Sequence, residues 1–235
     1  LQVKKYRNQH QAFVVEGAKS VIELLQSDFE LQHVFVTESF EQENRRQLKD
    51  IDYQVVTETD LVKAGTYASN NAALAVAYMR RLPELQVNLD ELVIALDDIR
   101  DPGNLGTIIR IADWYGIKKI ICSETCADFY NPKVIAATMG SFTRLQVHYI
   151  NLEEWLKTLN PTHQIYGASL AGENIHQMKL QPKGIVVMGN EANGIRAEVA
   201  AQINQLIKIP AFGNAESLNV ATATAIIIDN FRRWK

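Results

Sequence analysis

"LDDIRDPGNLGTIIRIADWYGI", residues 96–117, reads as a strand end, a turn and a helix in that order. The apolar run "LVIALD" (92–97) leads into it, and "KKIICS" (118–123) follows as a second strand. Asp101, Pro102, Gly103, Asn104 and Gly106 make the turn, and the helix is expected over 104–115 with Asn104 as its N-cap. A strand, a glycine turn and a helix N-terminus leave free backbone N–H groups where an anion can bind. The spacing fits neither G-x-G-x-x-G nor G-x-x-x-x-G-K-[ST], so neither a dinucleotide fingerprint nor a P-loop applies. Arg110 stands between Ile109 and Ile111. On a buried helix it would need a partner or an anion.

The same alternation extends outward. Strands are expected at "LQVHYI" (145–150), "QIYGAS" (164–169), "GIVVMG" (184–189) and "LIKIPA" (206–211). Runs this continuously apolar suit a parallel sheet covered on both faces. Helices are expected at 131–143, 151–159, 195–204 and about 218–234. Upstream, "AFVVEG" (12–17), "HVFVTE" (33–38), "YQVVT" (53–57) and "AALAVAYM" (72–79) read as strands. Helices at 18–27, 41–50 and 58–65 separate them, giving a small α/β unit over residues 1–80. The polar stretch at 81–91, with Pro83, is the expected linker to a second domain over 92–235.

Two more polar clusters follow strands. "GIVVMGNEANGI" (184–195) runs from a buried strand into Gly189, Asn190, Glu191, Asn193 and Gly194. Glu191 either serves the next helix N-terminus or lines a pocket. "IPAFGNAESLNVATATAIII" (209–228) crowds Pro210, Gly213, Asn214, Glu216, Ser217 and Asn219 before an apolar helix. A cap explains Ser217 alone. Three such clusters at the carboxyl ends of parallel strands lie where open α/β sheets bind ligands.

Composition narrows the classes. The chain has 235 residues, 47% of them hydrophobic, and a net charge of −3. That gives a sizeable core and no global electrostatic case for nucleic acid. Any RNA contact must be local, as at Lys4, Lys5 and Arg7, or Arg80 and Arg81. No apolar run is long enough for a transmembrane helix, and no signal peptide is visible. The two cysteines, Cys122 and Cys126, make neither a disulfide framework nor a zinc site, and suit reduced thiols in a cytoplasmic protein.

The trio "NLGTIIRIA", "MGNEANGI" and "IPAFGNAESLNVATATA" resembles the three ordered motifs of the SpoU/TrmH family, RNA 2′-O-ribose methyltransferases of the SPOUT class. "FVVEGAKSVIELL" and "TYASNNAALAVAYM" resemble the L30e-like substrate-binding domain often found ahead of it. The resemblance implies a C-terminal deep trefoil knot, S-adenosylmethionine as cofactor, structured rRNA or tRNA as substrate and a homodimer through the knot domain. No metal is implied. By position, cofactor contacts would fall at Gly189, Ile209 and Leu218, with Ser169 and Leu170 a weaker carry-over.

The functional polar residues implied are Asn104, Arg110, Glu191, Ser217 and Asn219. Arg110 would bind the phosphate beside the target ribose and orient the 2′-hydroxyl, because a guanidinium is a poor base. Asn104 and Glu191 would fix Arg110, while Ser217 and Asn219 would hold the ribose. Ala192 stands where the family often has Gly, so the loop needs an ordinary backbone there, and Ile111 stands where Thr is common. A binding-only relative predicts damage to the polar residues, and none is seen. A nucleotide enzyme predicts a phosphate fingerprint, and a lone L30e-like module leaves the C-terminal motifs unexplained.

Overall fold

The computed structural model describes residues 1–159 and 162–233. It opens with a helix that apolar periodicity does not show, α1 (Lys4–His10), whose one buried side chain is Arg7. There follow β1 (Ala12–Glu16), α2 (Ala18–Leu25), β2 (Leu31–Val36), α3 (Glu38–Glu43), β3 (Gln54–Val55), α4 (Glu58–Ala64) and β4 (Ala73–Tyr78). Their sheet runs β1-β4-β2-β3. β4 is antiparallel to β1 and β2, while β2 and β3 are parallel. Thr37 caps α3 through the Phe40 N–H, and Thr57 with Asp60 forms a capping box on α4. The helix expected over 41–50 ends at Glu43, where the Asn44 amide donates to the Phe40 carbonyl and the chain turns away.

The second sheet is built from β5 (Leu92–Leu96), β6 (Lys119–Ser123), β7 (Gln146–Ile150), β8 (Ile165–Asn174), β9 (Gly184–Met188) and β10 (Gln205–Lys208). Its order is β10-β8-β9-β5-β6-β7, and every pairing is parallel. α5 (Pro102–Trp114), α6 (Pro132–Thr138), α7 (Leu152–Leu159), α8 (Ala197–Ala200) and α9 (Val220–Arg232) complete the helices. β5 and β9 are buried along their whole length, as their unbroken apolar runs require. Val93, Ala95, Ile121, Ile165, Ile185 and Val187 form a core with Leu152 and Leu156 of α7. α5 packs against α9. The helix expected over 195–204 shrinks to the four residues of α8.

The chain divides into two units, and not at one point. Residues 1–81 group with 128–144, and residues 82–127 group with 145–235. Residues 128–144 group with the first unit, because Tyr130 and Phe142 join its aromatic core with Phe13 and Phe29. Arg7, 1% exposed, donates to Asp128 at 2.6 Å and to the Leu1 and Gln2 carbonyls. Arg80 lies over the Phe29 ring, pairs with Asp28, and gives its backbone N–H to the Tyr130 hydroxyl at 3.0 Å. Two cations of the expected RNA patches, Arg7 and Arg80, are thus committed inside this unit.

The expected linker at 81–91 is not free. Leu85 and Val87 pack on the core of the second unit, and the Lys119 ammonium donates to the Gln86 carbonyl at 2.7 Å.

Candidate functional site

Register decides what meets at the carboxyl edge of the second sheet. Leu96 pairs with Met188, and Gly167 pairs with Val187 and Leu206. The segments after β5 and β9, and the residues after Gly167, therefore leave the sheet side by side.

The first turn is capped by Asp101, not by Asn104. The Asp101 carboxylate accepts the Asn104 N–H at 2.8 Å, with Pro102 at the helix start. That frees the Asn104 side chain. Its amide donates to Glu191 Oε1 at 2.5 Å, and its oxygen accepts from Asn219 Nδ2 at 2.9 Å. Three expected residues from three distant segments thus form one chain, Glu191–Asn104–Asn219. Asn219 also caps α9, since its Oδ1 accepts the Ala221 and Thr222 N–H groups. Ser217 was the expected cap and does not serve; its side chain is exposed with no partner among the described residues.

Arg110 is also exposed and has no ion pair or hydrogen bond among the described residues. Asn104 and Glu191 bond to each other rather than to Arg110, so they do not fix it. Six residues along a helix turn a side chain about 120° from the Asn104 direction, which is why the two diverge.

The Glu191 loop is tightly built. Asn190 and Gly194 exchange backbone hydrogen bonds at 3.0 and 2.9 Å, and Asn190 Oδ1 accepts the Ala192 and Asn193 N–H groups. Gly194 has φ +68°, while Ala192 keeps an ordinary backbone, as its side chain requires. A Cβ at Gly189 would lie 2.3 Å from the Gly194 carbonyl carbon, so only glycine fits there.

Ser169 and Leu170 sit in a break of the β8–β10 register. Leu206 pairs with Gly167 but Ile207 pairs with Glu173, so residues 168–172 bow out. Gly172 permits this, because a Cβ there would lie 2.5 Å from the Ile207 backbone. Leu170 is well exposed and Leu218 half-exposed, and Ile209 follows β10 partly buried. Residues 211–218 are all exposed and make no hydrogen bond among the described residues. Such a strap of open N–H and C=O groups, leading into the Asn219 that bonds Asn104, fits a ligand held largely through backbone. Among the described residues, no group of His, Cys, Asp or Glu side chains could hold a metal ion.

Sequence reasoning missed Asp97, Asp98 and Arg196, and named Asn190 only as a member of its polar cluster. Asp98 adopts φ +62°, donates its N–H to Ser123 Oγ at 2.9 Å, and accepts Asn190 Nδ2 on its carbonyl at 2.9 Å. Burial alone would raise its carboxyl, but hydrogen bonds from Arg100 and Thr125 outweigh that and hold it below the usual carboxylate range. The Asp97 carboxylate accepts from the Arg196 backbone and guanidinium. The available signal was "LDD", two adjacent acids directly after a buried strand.

The Cys126 sulfur accepts the Ile99 N–H at 3.3 Å beneath the same turn. A hydrogen bond from Cys122 chiefly lowers the Cys126 thiol to about 7, and burial pushes Cys122 up. Both thiols are free.

A parallel sheet with convergent polar loops at its carboxyl edge defines an α/β protein of the class whose ligands bind at that edge. Comparison with known proteins narrows the class. The model of the SpoU rRNA Methylase family matches residues 91–229, and the chain belongs to that family. The model of the MRM3-like substrate binding domain matches residues 1–75.

Among curated proteins, the chain is 28% identical to the 23S rRNA (guanosine(2553)-2′-O)-methyltransferase RlmP of Bacillus subtilis, over 99% of this chain and 93% of that protein. Among solved structures, a TrmH-family protein from Porphyromonas gingivalis is 34% identical with TM-score 0.86, covering 99% of this chain and 94% of its own. An AdoMet-bound rRNA methyltransferase from Sinorhizobium meliloti is 29% identical with TM-score 0.86, covering 99% and 91%. No helix among the described residues is long and apolar enough to cross a membrane.

Proposed function

We propose that this chain is an S-adenosylmethionine-dependent methyltransferase that modifies a ribose 2′-hydroxyl in ribosomal RNA. The observation that carries the reading is the Glu191–Asn104–Asn219 chain, gathered from three separated segments beside the Gly189 loop. Membership of the family and likeness to rRNA methyltransferases support the substrate class.

The cofactor supplies an electrophilic methyl group on a sulfonium, so the protein's task is mainly positioning. Gly189, Ile209 and Leu218, with the loop at Ser169 and Leu170 and the open backbone of 211–218, would hold it. Arg110, exposed and without an internal partner, binds the phosphate beside the target ribose through its planar fork. This orients the 2′-hydroxyl, and the phosphate or a water takes its proton. Ser217, with its hydroxyl free, holds the ribose. Asn219 is already engaged by α9 and Asn104, so it anchors the strap rather than the sugar. Asn104 and Glu191 set the wall of the site.

In this reading the strap at 209–219 is the last crossing of a trefoil knot, and residues 1–80 are an L30e-like RNA-binding domain. The enzyme works in the cytoplasm as a homodimer through the knot domain. The exposed Trp114 and Phe212 supply apolar surface for that contact.

Calorimetric titration with S-adenosylmethionine, with ATP and NAD as controls, tests the reading. Selective binding, lost in Gly189→Val, is expected, followed by ribose methylation of ribosomal RNA in vitro. A folded protein that binds none of the three, with or without RNA, would overturn it.

A further inference from the structure

We infer that Asp97 and Arg196 are a positioning pair that staples the Glu191 loop at both ends and so delivers Glu191 to Asn104. The inference rests on the methyltransferase reading for its catalytic consequence, but not for its geometry.

The loop at 189–195 leaves the sheet after Met188 and ends at Arg196. Asp97 touches both points. Its backbone N–H donates to the Met188 carbonyl at 2.9 Å, where the loop begins. Its carboxylate accepts the Arg196 backbone N–H at 2.8 Å and Arg196 Nε at 2.8 Å, where the loop ends. Arg196 Nη2 adds a third contact, 2.6 Å from Oδ1.

The Asp97 side chain is 0% exposed, so these donors replace the water its oxygens lose. A buried carboxylate without them would be strongly destabilised. Arg196 is 38% exposed and reaches Glu198 at 3.6 Å, so its far side stays in water. The pair therefore costs less desolvation than a wholly buried one.

A guanidinium suits this place because Nε and Nη2 lie in one plane and meet one carboxylate together. A lysine ammonium is a point donor and cannot copy the fork. Between the stapled ends, the loop keeps its shape through the Asn190–Gly194 pair and the Asn190 bond to the Asp98 carbonyl. Glu191 sits at the tip, and its exposed carboxylate meets Asn104. Neither Asp97 nor Arg196 bonds to any of the five polar residues assigned to the chemistry, among the described residues. Their effect must pass through the loop.

Hydrogen–deuterium exchange of the whole protein, comparing wild type with Arg196→Lys, tests the staple without requiring activity. Amides at 190–195 are expected to exchange ~10-fold faster or more, with β5 and β9 unchanged, as in a local opening. Unchanged exchange at 190–195, or equal acceleration through β9, would overturn the inference. If Arg196→Lys fails to fold, the Asp97→Asn/Arg196→Gln double variant carries the same comparison and the same criterion, since it leaves no buried charge unpaired.

A second arm uses turnover. Arg196→Lys is expected to slow methyl transfer ~10-fold in the wild-type background but less than ~2-fold in Asn104→Ala, since both act on one contact. Fully additive losses would refute action through the loop. A wild type that transfers no methyl group would sink the methyltransferase reading while the exchange result still decides the staple.

Discussion

Residues 128–144 in the first unit, between β6 and β7, and 209–219 in the second, between β10 and α9, are both connecting segments, yet they reach opposite ends. In the first, polar groups find partners and rings find a core: Asp128 meets Arg7, Tyr130 meets the Arg80 N–H, and Phe142 lies against Phe13 and Phe29. In the second, residues 211–218 are exposed and unpaired among the described residues. Folding explains the one. The other keeps hydrogen-bonding capacity in reserve, as a ligand site does.

The sharpest way to break this contrast is to cut into the satisfied segment. Phe142 is fully buried, so Phe142→Ala should lose about 3–5 kcal/mol of unfolding free energy in urea titrations. A loss within ~0.5 kcal/mol would mean that 128–144 is no part of the core.

Arg110→Ala should do the reverse. Its exposure predicts an unfolding free energy within about 0.5 kcal/mol of wild type. Turnover should fall ~10²–10³-fold, the scale for losing one preorganised donor at a reacting centre. Arg110→Lys should fall nearly as far in single-turnover assays. Near-full activity there would disprove bidentate phosphate orientation.

Asn219 lies where the two behaviours meet, as a cap and a member of the polar chain. Asn219→Ala should cost about 1 kcal/mol in thermal unfolding and slow methyl transfer as well. An equal unfolding cost with unchanged turnover would reduce it to a cap.

The smallest effect concerns pH. Burial, helped by nearby Lys119, holds the His148 imidazole below its ordinary value of 6.5, and its Nε2 has no hydrogen-bond partner among the described residues. The folded chain therefore binds fewer protons here than the unfolded chain just below 6.5. This contribution to stability is complete above that value and is lost as pH falls through the folded pKa. His148→Phe should flatten the stability curve below pH 6.5 relative to wild type. A slope identical to wild type would exclude the contribution.

Much of this molecule follows from local rules that a sequence displays. Continuous apolar runs at 92–96 and 184–188 are strands buried on both faces, and a parallel sheet contains them. Gly, Asn and acidic residues after those strands mark loops, and Asn104, Glu191 and Asn219 do meet. α1 was hidden because a helix that buries only Arg7 has no apolar stripe. The caps moved to Asp101 and Asn219 because several residues in each turn can cap, and backbone geometry selects one.

Other features depend on long-range placement. Asp97 and Arg196 are 99 residues apart, and nothing local marks them as partners. Strand order alone sets β5 beside β9 and brings them within reach. Arg7 and Asp128 are 121 apart, and their pairing follows from where 128–144 packs. Periodicity and turn chemistry act over a few residues, so the sequence determined which elements form and where the polar loops fall. Pairing across the chain is decided only when the sheets assemble, and that step brought Asp97 and Arg196 together as an ion pair.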